Sequence, residues 1–216
     1  MSPRPRNTQI RREQIARAAL EVIAERGFQE LRVADVAARA GTSASAVHYH
    51  FASKDEILDA AVSQAEDAFY AEIEAAVRES EPAGHRLVRL LERGSLGPSE
   101  ERSIVGWRVW LEIWTRALRD RHTARTRELF DRRWRWTLAA AIRDGQANGE
   151  FSPAADPEEV SLQLAALMDG LAILWVLGDT DVDGSRMTSL LVLTAEQSLD
   201  CELQQYLQTH SRRSQA

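Results

Sequence analysis

What is scarce in these 216 residues excludes more than what is abundant. Cysteine occurs once, at Cys201, so no intrachain disulfide can brace the fold; that suits a reducing cytosol. Lysine also occurs once, at Lys54, and every other basic side chain is arginine. Strand signals are nearly missing, with no sustained alternation of apolar and polar residues between turn dipeptides. The first residues, MSPRPRNTQI, hold no apolar stretch, so no signal peptide is expected. One long apolar run exists, LQLAALMDGLAILWVLG at 162–178. A bilayer span needs roughly 20 apolar residues; this run is shorter and carries Gln163 and Asp169, so a buried core helix is expected and no membrane. There is no Gly-rich phosphate loop, no nucleophile beside a base and no His/carboxylate cluster at ligand spacing, which argues against an enzyme, a cofactor or a metal.

The net charge of −6 hides an asymmetry. Residues 1–54 hold nine Lys and Arg against five Asp and Glu, whereas residues 55–216 hold 18 against 28. A basic N-terminal part is joined to an acidic remainder, so a polyanionic partner would meet the first part only; ordinary surface charge is the plainer alternative. The length allows one large domain or two small ones, and the boundary is expected at 54/55, giving domains 1–54 and 55–216.

Helical signals fill the chain. Residues 8–26 place Ile15, Ala19, Val22 and Ile23 on one face, and Gly27 stops the helix. VADVAARA (33–40) gathers Val33, Val36, Ala37 and Ala40 before Gly41. Residues 43–50 make a short third helix with Ser43 as N-cap. Ser53-Lys54-Asp55-Glu56 has the Ser-x-x-Glu spacing of a capping box. It opens a long fourth helix with Leu58, Ala61, Ala65, Phe69, Ile73 and Val77 inward. Further helices are expected near 84–94, 101–120 and 122–147. Another runs from the Asp156 N-cap and the N1 proline Pro157 to about 177. A last one, about 185–208, turns Val192, Ala195, Leu199, Leu203 and Leu207 inward. SLGPSE (95–100), DGQANGEFSPAAD (144–156) and GDTDVDG (178–184) read as turns, and HSRRSQA as a frayed tail. The fold class is all-α, with about nine helices.

Helix 2, the Gly41-Thr42 turn and helix 3 form a helix-turn-helix pattern. A recognition helix enters the major groove by its N-terminal end, so its first residues must be slim and polar; Ser43, Ala44 and Ser45 are. Val47 and Phe51 anchor the helix to helices 1 and 2. His48, Tyr49 and His50 fall at its far end, where phenol and imidazole donors suit phosphate oxygens. Lys54 stands in the first turn of helix 4, where an ammonium and a positive helix end can share one phosphate. The pattern also fits a structural helical hairpin, and His48-x-His50 a metal pair or plain turn residues, though no third ligand stands nearby.

IARAALEVIAERGF (15–28) and VADVAARAGTSASAVHYHFASKDEIL (33–58) carry a more specific signal. Over residues 8–62 the chain resembles the N-terminal DNA-binding domain of the TetR family of transcriptional regulators. The resemblance implies that Ser43, Ala44 and Ser45 read bases and that His48, Tyr49, His50 and Lys54 touch phosphates. Two departures stand out. The family usually opens helix 2 with threonine, which caps and touches phosphate; here Leu31-Arg32-Val33 stands there, and Arg32 replaces the contact by charge but not the cap. At His48 the family usually has tyrosine, and imidazole titrates near neutrality, which makes that contact pH-sensitive. The residues around Arg4 and Arg6 either reach a minor groove or stay disordered.

The resemblance further implies a larger C-terminal helical domain that binds a ligand and joins two subunits through a four-helix bundle of their last two helices. The sequence fits: a dimer reading a two-fold operator needs a large self-complementary apolar face. Leu164, Leu167, Leu171 and Leu174 line one side of helix 156–177, and Val192, Leu199 and Leu203 lie on the last helix; a thick monomeric core is the alternative. WRVWLEIWTRALRD, IRDGQANGEF and LAALMDGLAILW are loosely similar to the choline-responsive, betaine-pathway branch of the family. Trp107, Trp110 and Trp114 share one helix face, and Phe130 and Trp134 pair on the next. With Phe69, Met168, Asp169 and Trp175 they are the candidate ligand-binding residues. Three readings stay open: core packing, a pocket for a flat aromatic or lipophilic ligand, or an aromatic cage for a cation with Asp169 as counter-charge. Glu112, on the same helix, points away from the Trp face. The expected function is a cytoplasmic bacterial regulator, a homodimeric repressor released from a palindromic double-stranded operator by a small molecule. The alternative is a helical protein-interaction module with a vestigial reader.

Overall fold

A computed structural model describes residues 5–76, 82–96 and 100–207; Arg4, Val77 and the HSRRSQA tail lie outside them. The elements are α1 (Pro5–Arg26), α2 (Val33–Arg39), α3 (Ala44–His50), α4 (Lys54–Ala76), α5 (Ala83–Leu96), α6 (Glu100–Ala117), α7 (Arg121–Ala147), α8 (Pro157–Val176) and α9 (Gly184–Leu199). A single further helical turn covers 204–207, and no strand occurs among the described residues. The chain packs as two compact units. The first runs to Glu72 and takes in Arg108–Thr115; the second holds Ile73–Trp107 and the chain from Arg116 onward. By packing, α4 continues with the first unit well past the 54/55 position at its N-terminus.

In the first unit α1 packs on α2 and α3, and α2 on α3. Ile15, Ala19, Val22 and Ile23 of α1 close over Leu31, Val36, Ala37, Val47 and Phe51, each at most 3% exposed. Burying a side chain of the Val, Ile or Phe kind contributes roughly 1.5–3 kcal/mol, so this small core rests on those seven larger side chains. The caps follow the side chains available. Ser43 Oγ accepts the Ala46 N–H at 3.1 Å. Ser53 Oγ accepts the Glu56 N–H at 3.1 Å, while Glu56 Oε2 reaches one residue further back than a standard capping box, to the Ala52 N–H at 2.8 Å. At the start of α2, Arg32 is in extended conformation with no side-chain cap. In α4 the expected inward position Ala65 is exposed. Each i+4 step overshoots a full turn by about 40°, so the 61–65–69 series walks off the buried stripe, which is held by Ile57, Leu58, Ala61, Val62, Tyr70 and Ile73.

In the second unit α5 packs on α7, α8 and α9, and α8 lies between α7 and α9. Leu87 and Leu91, Leu138 and Ile142, Leu164, and Met187, Leu191 and Val192 are all fully buried. Three N-caps set the helix starts: Asp120 for α7, Asp156 for α8 and Asp183 for α9, each accepting N–H groups of the first turn. Glu150 serves α5 from a distance, accepting the Ala83 and Gly84 N–H groups at 3.0 and 2.9 Å. The last helix stops at Leu199, short of the expected 208. Asp200 turns left-handed with φ 48°. Ser152 N–H takes the Leu199 carbonyl at 2.8 Å, and Glu196 pulls the chain back by accepting the Leu203 and Gln204 N–H groups at 2.6 and 2.9 Å.

The helices expected to form a subunit interface are used differently from the sequence reading. Leu164, Leu171, Val192, Leu199 and Leu203 are buried within the subunit itself, and Leu167 is half-buried. The burial has a simple cause: α8 is apolar nearly all round, and its 164–168–171 side is taken by the helices of its own unit. Leu174 stays exposed, together with Leu162, Leu177 and Leu193. By length and composition alone α8 would pass as a membrane-crossing helix.

Candidate functional site

The side chains expected to meet DNA gather on α3 and its flanks. Val47 and Phe51 are buried at 0% and 1%. Because they point inward, the other side of a seven-residue helix is left for solvent. Ser43, Ala44, Ser45, His48 and Tyr49 are all exposed there, Tyr49 at 71%. Ser43 Oγ and Ser45 Oγ lie 2.8 Å apart. His50 is half-buried, its ring edge-on to Tyr49 at 5.1 Å. Arg32 is exposed at the start of α2. Lys54 is held back: Nζ donates to the Gln29 carbonyl at 3.4 Å and stands 5.5 Å from the centre of the Phe28 ring.

Arg12 is a residue of this surface that spacing did not single out. Its guanidinium donates to the His50 carbonyl at 2.6 Å and to Glu56 Oε1 at 2.8 Å, and lies 4.3 Å from the Phe51 ring centre. One α1 side chain thus ties the C-terminal carbonyl end of α3 to the first turn of α4. A cation at a helix C-terminus is electrostatically favourable. The Ala52 N–H and then Arg12 hold the Glu56 carboxyl below its ordinary value. Nothing local signals this, since the partners stand 38 and 44 residues away.

The expected ligand residues divide between the units. Phe69, Trp110 and Trp114 belong to the first; Trp107, Phe130, Trp134, Met168, Asp169 and Trp175 belong to the second. Every one of the nine except Met168, which is buried, is part-exposed. In the second unit the structure brings Trp134 and Met168 together against the backbone of α5. A Cβ added at Gly94 would stand 2.7 Å from Met168 Sδ and 3.1 Å from Trp134 Cζ2. Asp169 follows Met168 directly. Burial pushes its carboxyl up to about 7, and the charge of Asp131 adds to that, against the opposing pull of Arg127 and Arg135. Asp131 itself is raised, first by burial, although Arg127 lies 3.2 Å from it. The sequence reading missed Asp131, because an acid inside DRRWRW looks like a surface charge among arginines. A carboxyl in the field of a second carboxyl favours a cation over an anion.

The chain matches the family model for "Bacterial regulatory proteins, tetR family" over residues 15–61. It also matches the model for "BetI-type transcriptional repressor, C-terminal" over residues 83–199. It is 29% identical over 185 residues to the HTH-type transcriptional regulator BetI of Escherichia coli K12, covering 84% of this chain and 90% of that protein. A transcriptional regulator from Saccharomonospora viridis, solved in complex with choline, superimposes with a TM-score of 0.80 at 32% identity, covering 88% of this chain and 98% of that one. A TetR-family regulator from Rhodococcus superimposes with a TM-score of 0.75 at 27% identity, over 88% and 99% of the two chains. The chain belongs to the TetR family of bacterial transcriptional regulators, as a helix-turn-helix DNA-binding protein with a BetI-type repressor C-terminal domain.

Proposed function

We propose that two copies of this chain form a dimer that represses transcription from a palindromic operator and leaves it when a small organic cation binds. The observation that carries the DNA half is the α3 surface, with Ser43, Ala44, Ser45, His48 and Tyr49 exposed over fully buried Val47 and Phe51. The first three read base edges in the major groove; His48, Tyr49, His50, Arg32 and Lys54 meet phosphates. The ligand half is supported by Asp169, an acid in an apolar stretch of α8 whose charge is disfavoured by burial and by Asp131, and by the choline complex of the Saccharomonospora regulator. A quaternary ammonium ion of the choline kind matches that chemistry, since indoles attract cations and a partly desolvated carboxylate is stabilised by one. Ligand binding shifts the equilibrium only by its differential affinity for the free and DNA-bound forms, so the ligand must prefer a dimer whose readers no longer match the half-site spacing. A protein that reads DNA this way works in the cytoplasm.

Fluorescence anisotropy on the DNA immediately upstream of the gene, at two salt concentrations, is the direct test. The wild type should bind tightly and in a salt-sensitive manner, and choline should release it where a neutral lipophilic compound does not. Lys54→Ala and Tyr49→Ala should weaken binding to every duplex. Lys54→Ala should also flatten the log–log salt dependence by about 0.9, the share of one phosphate. An unchanged slope and affinity in Lys54→Ala would remove Lys54 from the interface. Release by the lipophilic compound and not by choline would overturn the cation reading.

A further inference from the structure

The turn between α1 and α2 is gripped from two sides. On one side stands Glu112 of α6, within the segment Arg108–Thr115 that packs with the first unit. Its Oε2 accepts the Phe28 N–H at 3.2 Å. Its Oε1 would lie 3.0 Å from a Cβ at Gly27, whose φ is +79°. Only glycine adopts that conformation without strain and leaves the carboxylate room to approach. Glu112, Gly27, Ile23, Ala24, Glu25, Arg108 and Leu111 line one open depression. The position is not one a carboxylate would seek. The Gly27 N–H closes the last turn of α1 onto the Ile23 carbonyl at 2.8 Å, and a helix C-terminus repels negative charge. What holds Glu112 there is the N–H that Phe28 presents as the chain leaves the helix.

On the other side stands Lys54. Its ammonium faces the Phe28 ring at 5.5 Å and donates to the carbonyl of the next residue, Gln29, at 3.4 Å. The turn between is short and closed, with the Leu31 N–H on the Phe28 carbonyl at 3.2 Å. The following residue, Arg32, opens α2 without a side-chain cap. Phe28 therefore has its backbone held by Glu112 and its ring against Lys54. The far end of the turn has no side-chain cap at Arg32, and Glu112 holds its near end through the Phe28 N–H.

We infer that Glu112 is a positioning residue for DNA binding: by pinning the Phe28 backbone it sets the place from which the Lys54 ammonium reaches a DNA phosphate. The inference rests on the reading of Lys54 as a phosphate ligand. It gives α6, through one carboxylate, a grip on the reader that does not pass along α4.

The test is a double-mutant cycle on the full-length protein, with a short mixed-sequence duplex at low salt as probe, so that no operator need be known. Urea midpoints are recorded beside every affinity. Lys54→Ala alone should lower affinity and flatten the salt dependence. Glu112→Ala should lower affinity roughly fivefold to tenfold, the scale of one ordinary hydrogen bond, and flatten the slope in the same way. Glu112→Gln keeps an oxygen for the Phe28 N–H and should stay within about twofold of wild type. Added to Lys54→Ala, Glu112→Ala should cost nothing more. If Glu112→Ala leaves affinity unchanged while Lys54→Ala lowers it, the inference fails and the phosphate reading stands. The inference fails in the same way if the two losses simply add, because Glu112 then acts elsewhere. If Lys54→Ala has no effect, the phosphate reading fails and takes this inference with it. Should Glu112→Ala lower the urea midpoint, Glu112→Gln decides: a full affinity loss there with an unchanged midpoint also overturns the role given to the carboxylate oxygen.

Discussion

Asp169 is where a single residue most clearly carries a measurable consequence. In the folded chain its carboxyl is pushed up to about 7, from an ordinary value of 3.8, because partial burial disfavours its charge and the charge of Asp131 adds to that. The folded state therefore holds more protons than the unfolded chain between those two values. The stability this group lends is complete below about pH 4 and is lost as pH rises through about 7. Asp169→Asn should remove that decline. The variant should match the wild type near pH 4 and exceed it in urea midpoint at pH 8; equal midpoints at both would mean the carboxyl is not buried as described. Cation binding works in the opposite sense. A bound cation favours the ionised carboxylate, so affinity for choline should rise with pH and level off above about 7, with proton release that calorimetry in two buffers detects. Asp169 itself stood out in the sequence because an acid inside LAALMDGLAILW breaks an apolar run. Its partner Asp131 did not, because pairing across helices has no local signature.

At the scale of elements, the helix starts were largely legible and the helix ends less so. Asp156-Pro157 announces α8. Asp156 Oδ1 accepts the Glu158 and Glu159 N–H groups at 2.9 and 3.3 Å, and Pro157 takes the first helical position, where its missing N–H costs nothing. Asp156→Ala should cost about 1 kcal/mol of stability without altering DNA binding beyond what that loss explains, as urea unfolding checks. A cost near zero would mean that Pro157 alone starts the helix. A cap is a local device, set by residues within one turn, so sequence reveals it. The end of α9 at Leu199 is not local: it depends on Ser152 taking the Leu199 carbonyl, 47 positions away in sequence. The drift of the buried stripe past Ala65 in α4 likewise depends on which neighbours cover the helix, not on the spacing of its own residues.

At the scale of the whole molecule, the question is which apolar surface is left for a second copy. The subunit consumes Leu164, Leu171, Val192, Leu199 and Leu203 and leaves Leu162, Leu174, Leu177 and Leu193 exposed. On α8 the exposed residues Leu162, Ala166, Gly170 and Leu174 recur every four positions. Such a stripe, with small residues at its centre, lets another helix come close. A two-fold dimer repeats the same patch on both subunits, so one charge enters the interface twice. Leu174→Glu should shift the protein to monomer in sedimentation velocity and lower its affinity for a palindromic fragment far more than for a single half-site. A dimer that survives this change would place the interface elsewhere.

The sequence by itself determined the all-helical architecture, the reader and its exposed residues, and the family. All three rest on short-range patterns: 3.6-residue periodicity, caps, and a helix-turn-helix whose two anchors, Val47 and Phe51, lie four residues apart. Tertiary structure alone decided which side of the largely apolar α8 is core and which is surface, that Asp131 stands in the field of Asp169, and that Arg12 and Glu112 contact the reader at α3 and at Phe28. Each of those depends on helices far apart in sequence meeting in space. A largely apolar helix, an acid among arginines and a carboxylate on an indole-rich helix look the same in sequence whichever neighbour they meet, and only the packing selects one.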